Sequence, residues 1–164
     1  MGALERTLVI LKPDALARGL VGRVVQRFED AGLKIVGARM AVMDAELTRR
    51  HYFDLAQRHG EKVYAATARA MQRGPVIALV LEGVEAVANV RRLVGPTYPD
   101  QAPPGTIRGD FAHQSRDYCV ADDKAVANLV HASGNREEAA YELSVWFGPQ
   151  DQFTYATAAE SYTL

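Results

Sequence analysis

A chain of 164 residues with a hydrophobic share of 48% and a charged share of 24% has room for one core of ordinary size, held by burial alone, and little left for a second domain. A formal net charge of -1 argues against a general nucleic-acid binder, which carries a large basic excess, while leaving room for a local basic pocket. The single cysteine, Cys119, excludes an intrachain disulfide and agrees with a reducing compartment.

The opening Met1-Gly2-Ala3-Leu4-Glu5-Arg6 lacks the apolar stretch of a secretion signal, and Arg6 stands where a myristoylation signal needs Ser or Thr. Thr7 to Leu11 is an unbroken apolar, β-branched run stopped by Lys12-Pro13-Asp14, which predicts a strand buried on both faces. Val21, Val24, Val25 and Phe28 then recur at helical spacing, and Gly32 follows where a helix end favours a left-handed residue. Leu33 to Met43 reads as extended. Asp44 to Met71 reads as two helices broken near Gly60. Gly74-Pro75 is a turn before the buried strand Val76 to Leu81, itself far too short to cross a bilayer.

Val84, Val87, Val90 and Val94 mark a further helix. The irregular stretch from Pro96 to Gly109 contains Pro99, Pro103 and Pro104, and loops of that length tend to be functional. In the segment from Arg116 to Val130, Tyr118-Cys119-Val120 suits a short strand and Asp122 to Leu129 a helical turn. The last helix is expected from about Glu137 to Phe147, with Asn135 and Glu138 spaced like a capping box. The order β-α-β-α-α-β-α-β-α predicts an α/β sandwich, helices covering a sheet of about four strands. Pattern alone leaves the pairing direction open.

Some residues break this pattern. Lys12 directly follows a strand that is otherwise wholly apolar, although for an isolated lysine a solvated strand end is the commoner reading. Arg91 falls in register with the buried face of its helix, between Val87 and Val94; an arginine snorkelling from the helix edge is an equal alternative. His131 ends the run Leu129-Val130 and precedes Ala132-Ser133-Gly134-Asn135, small residues just before a helix start, where a phosphate is well received. A lone histidine is more commonly structural. Glu142 shifts the balance: it borders the stripe of Ala139, Leu143 and Trp146, where a carboxylate is costly unless partnered, and a carboxylate that orients an imidazole makes it a better nucleophile. The familiar glycine-rich phosphate loops and kinase signatures are missing, His51 and His59 lack zincin spacing, and Cys119 has no second thiol. Any phosphate must then be held by Lys and Arg side chains with help from backbone.

These residues together resemble nucleoside diphosphate kinases over nearly the whole chain. The resemblance rests on Glu5 to Asp14, Arg18-Gly19-Leu20-Val21-Gly22, His51-Tyr52-Phe53-Asp54-Leu55, Gly74-Pro75-Val76, Pro104 to Phe111 and Asn128-Leu129-Val130-His131-Ala132-Ser133, in that order. It implies a ferredoxin-like α/β sandwich, a single domain over 1–164, and a ping-pong reaction through a phosphorylated histidine. On it His131 is the nucleophile and Glu142 its orienting partner, with Ser133 beside them. Lys12, Tyr52, Arg91, Thr97, Arg108 and Asn128 surround phosphates and sugar, and Tyr64 (or its neighbour Val63) meets the base. Mg2+ would arrive with the nucleotide. The expected partners are nucleoside tri- and diphosphates and copies of the chain itself, as a hexamer before a tetramer, with no nucleic acid and no membrane, in the cytoplasm.

Three departures stand out. Gly134 occupies a place where the family commonly has aspartate, the region from Gly60 to Tyr64 is slightly expanded, and the stretch between Arg108 and Asn128 is lengthened by about Ser115 to Ala127. That extra segment joins two expected site residues as a flap, an added strand or a subunit contact. Two other readings compete: a catalytically weak member of the family that binds nucleotide as a scaffold, and an unrelated sheet domain that binds RNA, which would need exposed stacking aromatics and a basic face.

Overall fold

The computed structural model describes residues 3–164. Met1 and Gly2, where the segment read as free of a targeting signal begins, lie outside the described residues. Four strands, β1 (Leu4–Leu11), β2 (Lys34–Val42), β3 (Pro75–Val84) and β4 (Val130–Ala132), form one sheet in the order β2-β3-β1-β4. Every pairing is antiparallel. That order is the ferredoxin-like arrangement, and it makes β1 an inner strand. Its residues Thr7 to Leu11 are accordingly fully buried, which is why the run is apolar without alternation.

Side chains still alternate between faces along each strand. Val9, Leu11, Leu79, Leu81, Val130 and Ala132 pack beneath α1 (Pro13–Ala17), α2 (Val21–Glu29) and α6 (Ala86–Val94), with Val24, Phe28, Val90 and Val94 among the helical contributions. Leu8, Ile10, Val76, Ala78 and Val80 face the other way. There they meet Met71 from α5 (Glu61–Met71) and Trp146 from α9 (Arg136–Trp146). Gly32, at φ 81°, turns the chain from α2 toward β2.

The stretch expected to hold two helices holds three: α3 (Ala45–His51), α4 (Leu55–His59) and α5. Gly60, at φ 91°, divides the last two as its sequence position suggests, and an additional turn at Tyr52 to Asp54 separates the first two. Val84 ends β3 rather than starting α6.

The lengthened region departs most from expectation. Tyr118-Cys119-Val120 is not a strand but part of α8 (Arg116–Ala121), which Ser115 caps by accepting the Tyr118 N–H at 3.2 Å. Asp122 to Leu129 is a turn followed by irregular chain, not a helical turn. The fourth strand is instead the three-residue β4, paired with β1 through Val9↔Ala132, Ile10↔His131 and Leu11↔Val130. With Val130 and Ala132 buried on one face, His131 must point to the other.

Candidate active site

The cavity against β4 has a volume of about 790 Å³, within the ordinary range for a small-molecule site. Of the expected site residues, Lys12, Tyr52, Arg91, Thr97, Arg108, Asn128, His131 and Glu142 all line it. Ser133 lies just behind, fully buried. Tyr64 is on α5 but does not line the cavity; its neighbour Val63 does, as does Phe53.

At its centre His131 Nε2 donates to Glu142 Oε1 at 2.8 Å, and Ser133 Oγ donates to Glu142 Oε2 at 2.5 Å. Burial alone would raise the Glu142 carboxyl. The nearby His131 charge and hydrogen bond, with smaller help from His51 and Ser133, outweigh it and hold the carboxyl at about 2. The side chain is therefore an anion at neutral pH and accepts both bonds. When the ring carries a single proton, the bond to Glu142 keeps it on Nε2, and Nδ1 is then the ring nitrogen left with a lone pair. α9 delivers Glu142 from a well-anchored start: Asn135 Oδ1 accepts the Glu138 N–H at 2.8 Å. The return arm of the expected capping box is displaced by one residue, since Glu138 Oε2 accepts from the Gly134 N–H at 2.9 Å. At the position of the family's aspartate, an acidic neighbour is thus supplied from the helix.

Three cations converge on the same cavity. Lys12 Nζ donates to Asn128 Oδ1 at 2.8 Å and to the Val126 carbonyl at 3.1 Å. Asn128 Nδ2 in turn donates to the Thr97 carbonyl at 2.8 Å, tying the proline-rich loop to the strand ends. Arg108 spends its guanidinium on carbonyls only, those of Asn128, Gly95 and Val130 at 3.2, 3.0 and 2.5 Å. Burial chiefly, with Arg91 next, lowers Arg108 to about 10, so it stays charged. Arg91 reaches the Ala132 carbonyl at 3.4 Å. Among the described residues none of these three cations forms an ion pair with a carboxylate; the cavity's other cations, such as Arg58 and Lys62, do. Buried positive charge without a counter-ion is costly, and a bound polyanion would relieve it.

Local backbone chemistry places these groups. Thr106 caps α7 (Ile107–Phe111) by accepting the Gly109 N–H, which sets Arg108 in the first turn. Gly109 has no room for a side chain, since a Cβ there would meet the Pro103 carbonyl oxygen at 2.2 Å. Leu129 takes φ 71° while the Val130 N–H closes onto the Asn128 carbonyl at 2.8 Å. Such a conformation is a strain for a branched residue and clusters at functional sites. It occurs where the chain turns from Asn128 to His131.

The extra segment forms a wall of this cavity through Cys119, Val120, Asp123, Lys124, Ala125 and Val126. Gln114 Oε1 closes its base by accepting the Ala127 N–H at 2.8 Å. Asp123 ties its far end to α5 through Lys62 and Arg69 at 3.4 and 3.5 Å.

Sequence reasoning missed His51. It is buried, its ring centroid lies 4.5 Å from that of His131, and its Nε2 is 3.9 Å from Glu142 Oε1. The available signal was its place on the same helical stretch as Tyr52; zincin spacing was the wrong test for it.

Comparison with known proteins places this geometry. The family model for nucleoside diphosphate kinase matches residues 5–152. A nucleoside diphosphate kinase of Pyrococcus horikoshii is 45% identical over 161 residues, covering 98% of this chain and 96% of its own. The nucleoside-diphosphate kinase from Borrelia burgdorferi, solved with vanadate and ADP as a transition-state mimic, superposes with a TM-score of 0.95 at 41% identity, covering 98% of this chain and 96% of its own. A halophilic nucleoside diphosphate kinase of Halobacterium salinarum, in complex with CDP, gives 0.85 at 33% identity, covering 99% of each chain.

Proposed function

Since the chain belongs to the nucleoside diphosphate kinase family, we infer that it moves the terminal phosphate of a nucleoside triphosphate to a nucleoside diphosphate in two half-reactions, with the phosphate carried on His131. The observation that supports this best is a single juxtaposition: an imidazole bonded through Nε2 to an ionised Glu142, in a cavity where Lys12, Arg91 and Arg108 have no carboxylate partner among the described residues.

In the first half-reaction the Nδ1 lone pair attacks the terminal phosphorus. An N–P bond forms, and the P–O bond to the bridging oxygen breaks with its electron pair leaving on the diphosphate. Nδ1 has no proton to lose, so this step requires no general base. The ring becomes positive, and Glu142 stabilises it through the Nε2–H bond. Lys12, Arg91 and Arg108 take up the charge on the phosphoryl oxygens, with Asn128 and Thr97 holding Lys12 and its loop in place. A single arginine on a transferring phosphoryl is worth roughly 10³–10⁵ in rate. A second nucleoside diphosphate reverses the step and collects the phosphate. Tyr52, whose phenol burial pushes up, stays neutral and suits a hydrogen bond to substrate.

Mg2+ would come with the nucleotide, held mainly by its phosphates, and would supply further charge stabilisation for the transfer beside Lys12, Arg91 and Arg108. Among the described residues one grouping has metal-like spacing, His51, His131 and Glu142, and two of its members are already bonded to each other. Val63 and Phe53, which line the cavity where Tyr64 does not, are the candidates to meet the base. The working unit is the whole chain as one domain, with 115–127 as an addition. The exposed Met40 and Val42 on the sheet edge support a homo-oligomer; the order hexamer before tetramer rests on the family resemblance. A cytoplasmic site of action agrees with a chain whose one cysteine can form no intrachain disulfide. Among the described residues no helix is long and apolar enough to cross a membrane.

Incubation with γ-labelled ATP followed by a chase with unlabelled GDP tests the reading. Acid-labile label is expected on the native chain, passing to GTP, and is expected to vanish in His131→Ala. Label retained by that variant would end the assignment to His131. Nucleotide binding by a native chain that takes no label would favour the scaffold reading.

A further inference from the structure

His51 is one of the described residues with a buried side-chain polar atom, Nε2, that finds no hydrogen-bond partner. Its other nitrogen settles the chemistry. Trp146 Nε1 approaches His51 Nδ1 at 3.3 Å, and an indole N–H can only donate. Nδ1 must therefore accept, which leaves the proton of the neutral ring on Nε2. A second proton on Nδ1 would collide with the indole hydrogen, so the geometry opposes the imidazolium; burial, followed by the neighbouring His131, acts the same way and lowers His51 to about 3. The groups around this ring are Glu142 and Trp146 on α9, His131 on β4 and Tyr52 next along the chain.

We propose that His51 is a positioning residue: fixed as the Nε2–H tautomer by Trp146, it presents a second N–H to Glu142 Oε1 and keeps that carboxylate aligned on His131. Glu142 Oε1 then stands between two imidazole N–H groups, His131 at 2.8 Å and His51 at 3.9 Å, while Oε2 is taken by Ser133. At 3.9 Å the His51 contact is a dipole aimed at the anion, not a hydrogen bond. It shortens as the carboxylate is drawn into line during phosphorylation, since contacts of this kind tighten in the reacting complex. The same tautomer argues against a metal at His51, His131 and Glu142, because a protonated Nε2 has no lone pair to give. This role rests on His131 being the phosphate carrier.

Two substitutions separate alignment from packing. His51→Asn keeps an acceptor toward Trp146 but removes the Nε2 donor, whereas His51→Gln can place an N–H near the Nε2 position. Phosphorylation of His131 by ATP is expected to slow about tenfold in the Asn variant, the usual scale for groups that orient a reacting residue. Loss of a dipole that favours the Glu142 carboxylate should raise that carboxyl, so the fall in rate on acidification should set in at higher pH, while ADP affinity should stay unchanged. His51→Gln should recover most of the rate. Equal loss in both variants, or none in the first, would overturn the proposal. Nitrogen-15 spectra of the native chain provide a check independent of variant folding: His51 should show a protonated Nε2 and a bare Nδ1, and the reverse would also overturn it. Failure of the native chain to take label would instead sink the kinase reading, so the two failures are distinguishable.

Discussion

Lys12 follows the fully buried run Thr7 to Leu11, and burial lowers its ammonium to about 8, with Asp14 pulling upward and the Arg108 guanidinium adding to the fall. A lowered value means that the charge is lost as pH rises through about 8, before an ordinary lysine would release its proton near about 10.4. In the free protein kcat/KM is therefore expected to decline as pH rises through about 8. A bound phosphate favours the charged form, so the limb in kcat should lie higher. Lys12→Arg should flatten the limb while lowering the rate, because a guanidinium keeps its charge but cannot sit where the ammonium bridges Asn128 and Val126. A profile level to pH 10 in the native chain would overturn this account. The same scale bears on the pair Val63 and Tyr64, between which the resemblance leaves the base-facing residue open. Adjacent residues on a helix point about 100° apart, so only one of the two can face the cavity, and Val63 lines it.

At the scale of elements, the extra segment acts through its anchors. Its helix α8 has only six residues and exposes Tyr118 and Val120, so little apolar burial holds it down. Gln114 to Ala127 and Asp123 to α5 carry that load. Gln114→Ala removes one hydrogen bond of roughly 1 kcal/mol and leaves the Ala127 N–H to find water. The variant should show faster amide exchange within 115–127 and a several-fold higher KM for nucleotide, with kcat nearly unchanged. Unaltered exchange in that stretch would mean the wall holds by other means. Short elements also account for the misread strand. Six residues hold neither a strand's alternation nor two helical turns, and Ser115 decides for helix by capping it.

On the scale of the whole molecule, β2 is the long edge strand of the sheet, the other edge being the three-residue β4. The C-terminal stretch covers its beginning, where the Phe153 N–H bonds the Val36 carbonyl at 2.7 Å and Tyr155 Oη bonds the Ile35 carbonyl at 2.6 Å. Lys34 fastens that stretch further through Glu160 at 2.6 Å. The second half of the strand stays open, with Met40 and Val42 exposed. An uncovered apolar edge invites pairing with another chain. Sedimentation is expected to find a homo-oligomer, and the combined Met40→Lys and Val42→Lys variant a smaller species. A native monomer would remove the oligomer from the account.

The residues alone were enough for β1, α2, α6, α9, the family resemblance and most of the expected residues that the fold gathers around one cavity. In each case the signal lies within a few turns or one strand: an unbroken apolar run, a 3.6-residue stripe, a cap, a motif. Tertiary structure decided what depends on residues far apart in the chain. β4 is three residues long and exists because β1 pairs with it, which no local period can announce. That Lys12, Arg91 and Arg108 have no ion pair among the described residues depends on every carboxylate around them, and the tautomer of His51 depends on an indole 95 positions away. Composition and periodicity report what each segment needs to bury; which charges remain uncompensated and which nitrogen keeps its proton are settled only when distant segments share one low-dielectric space.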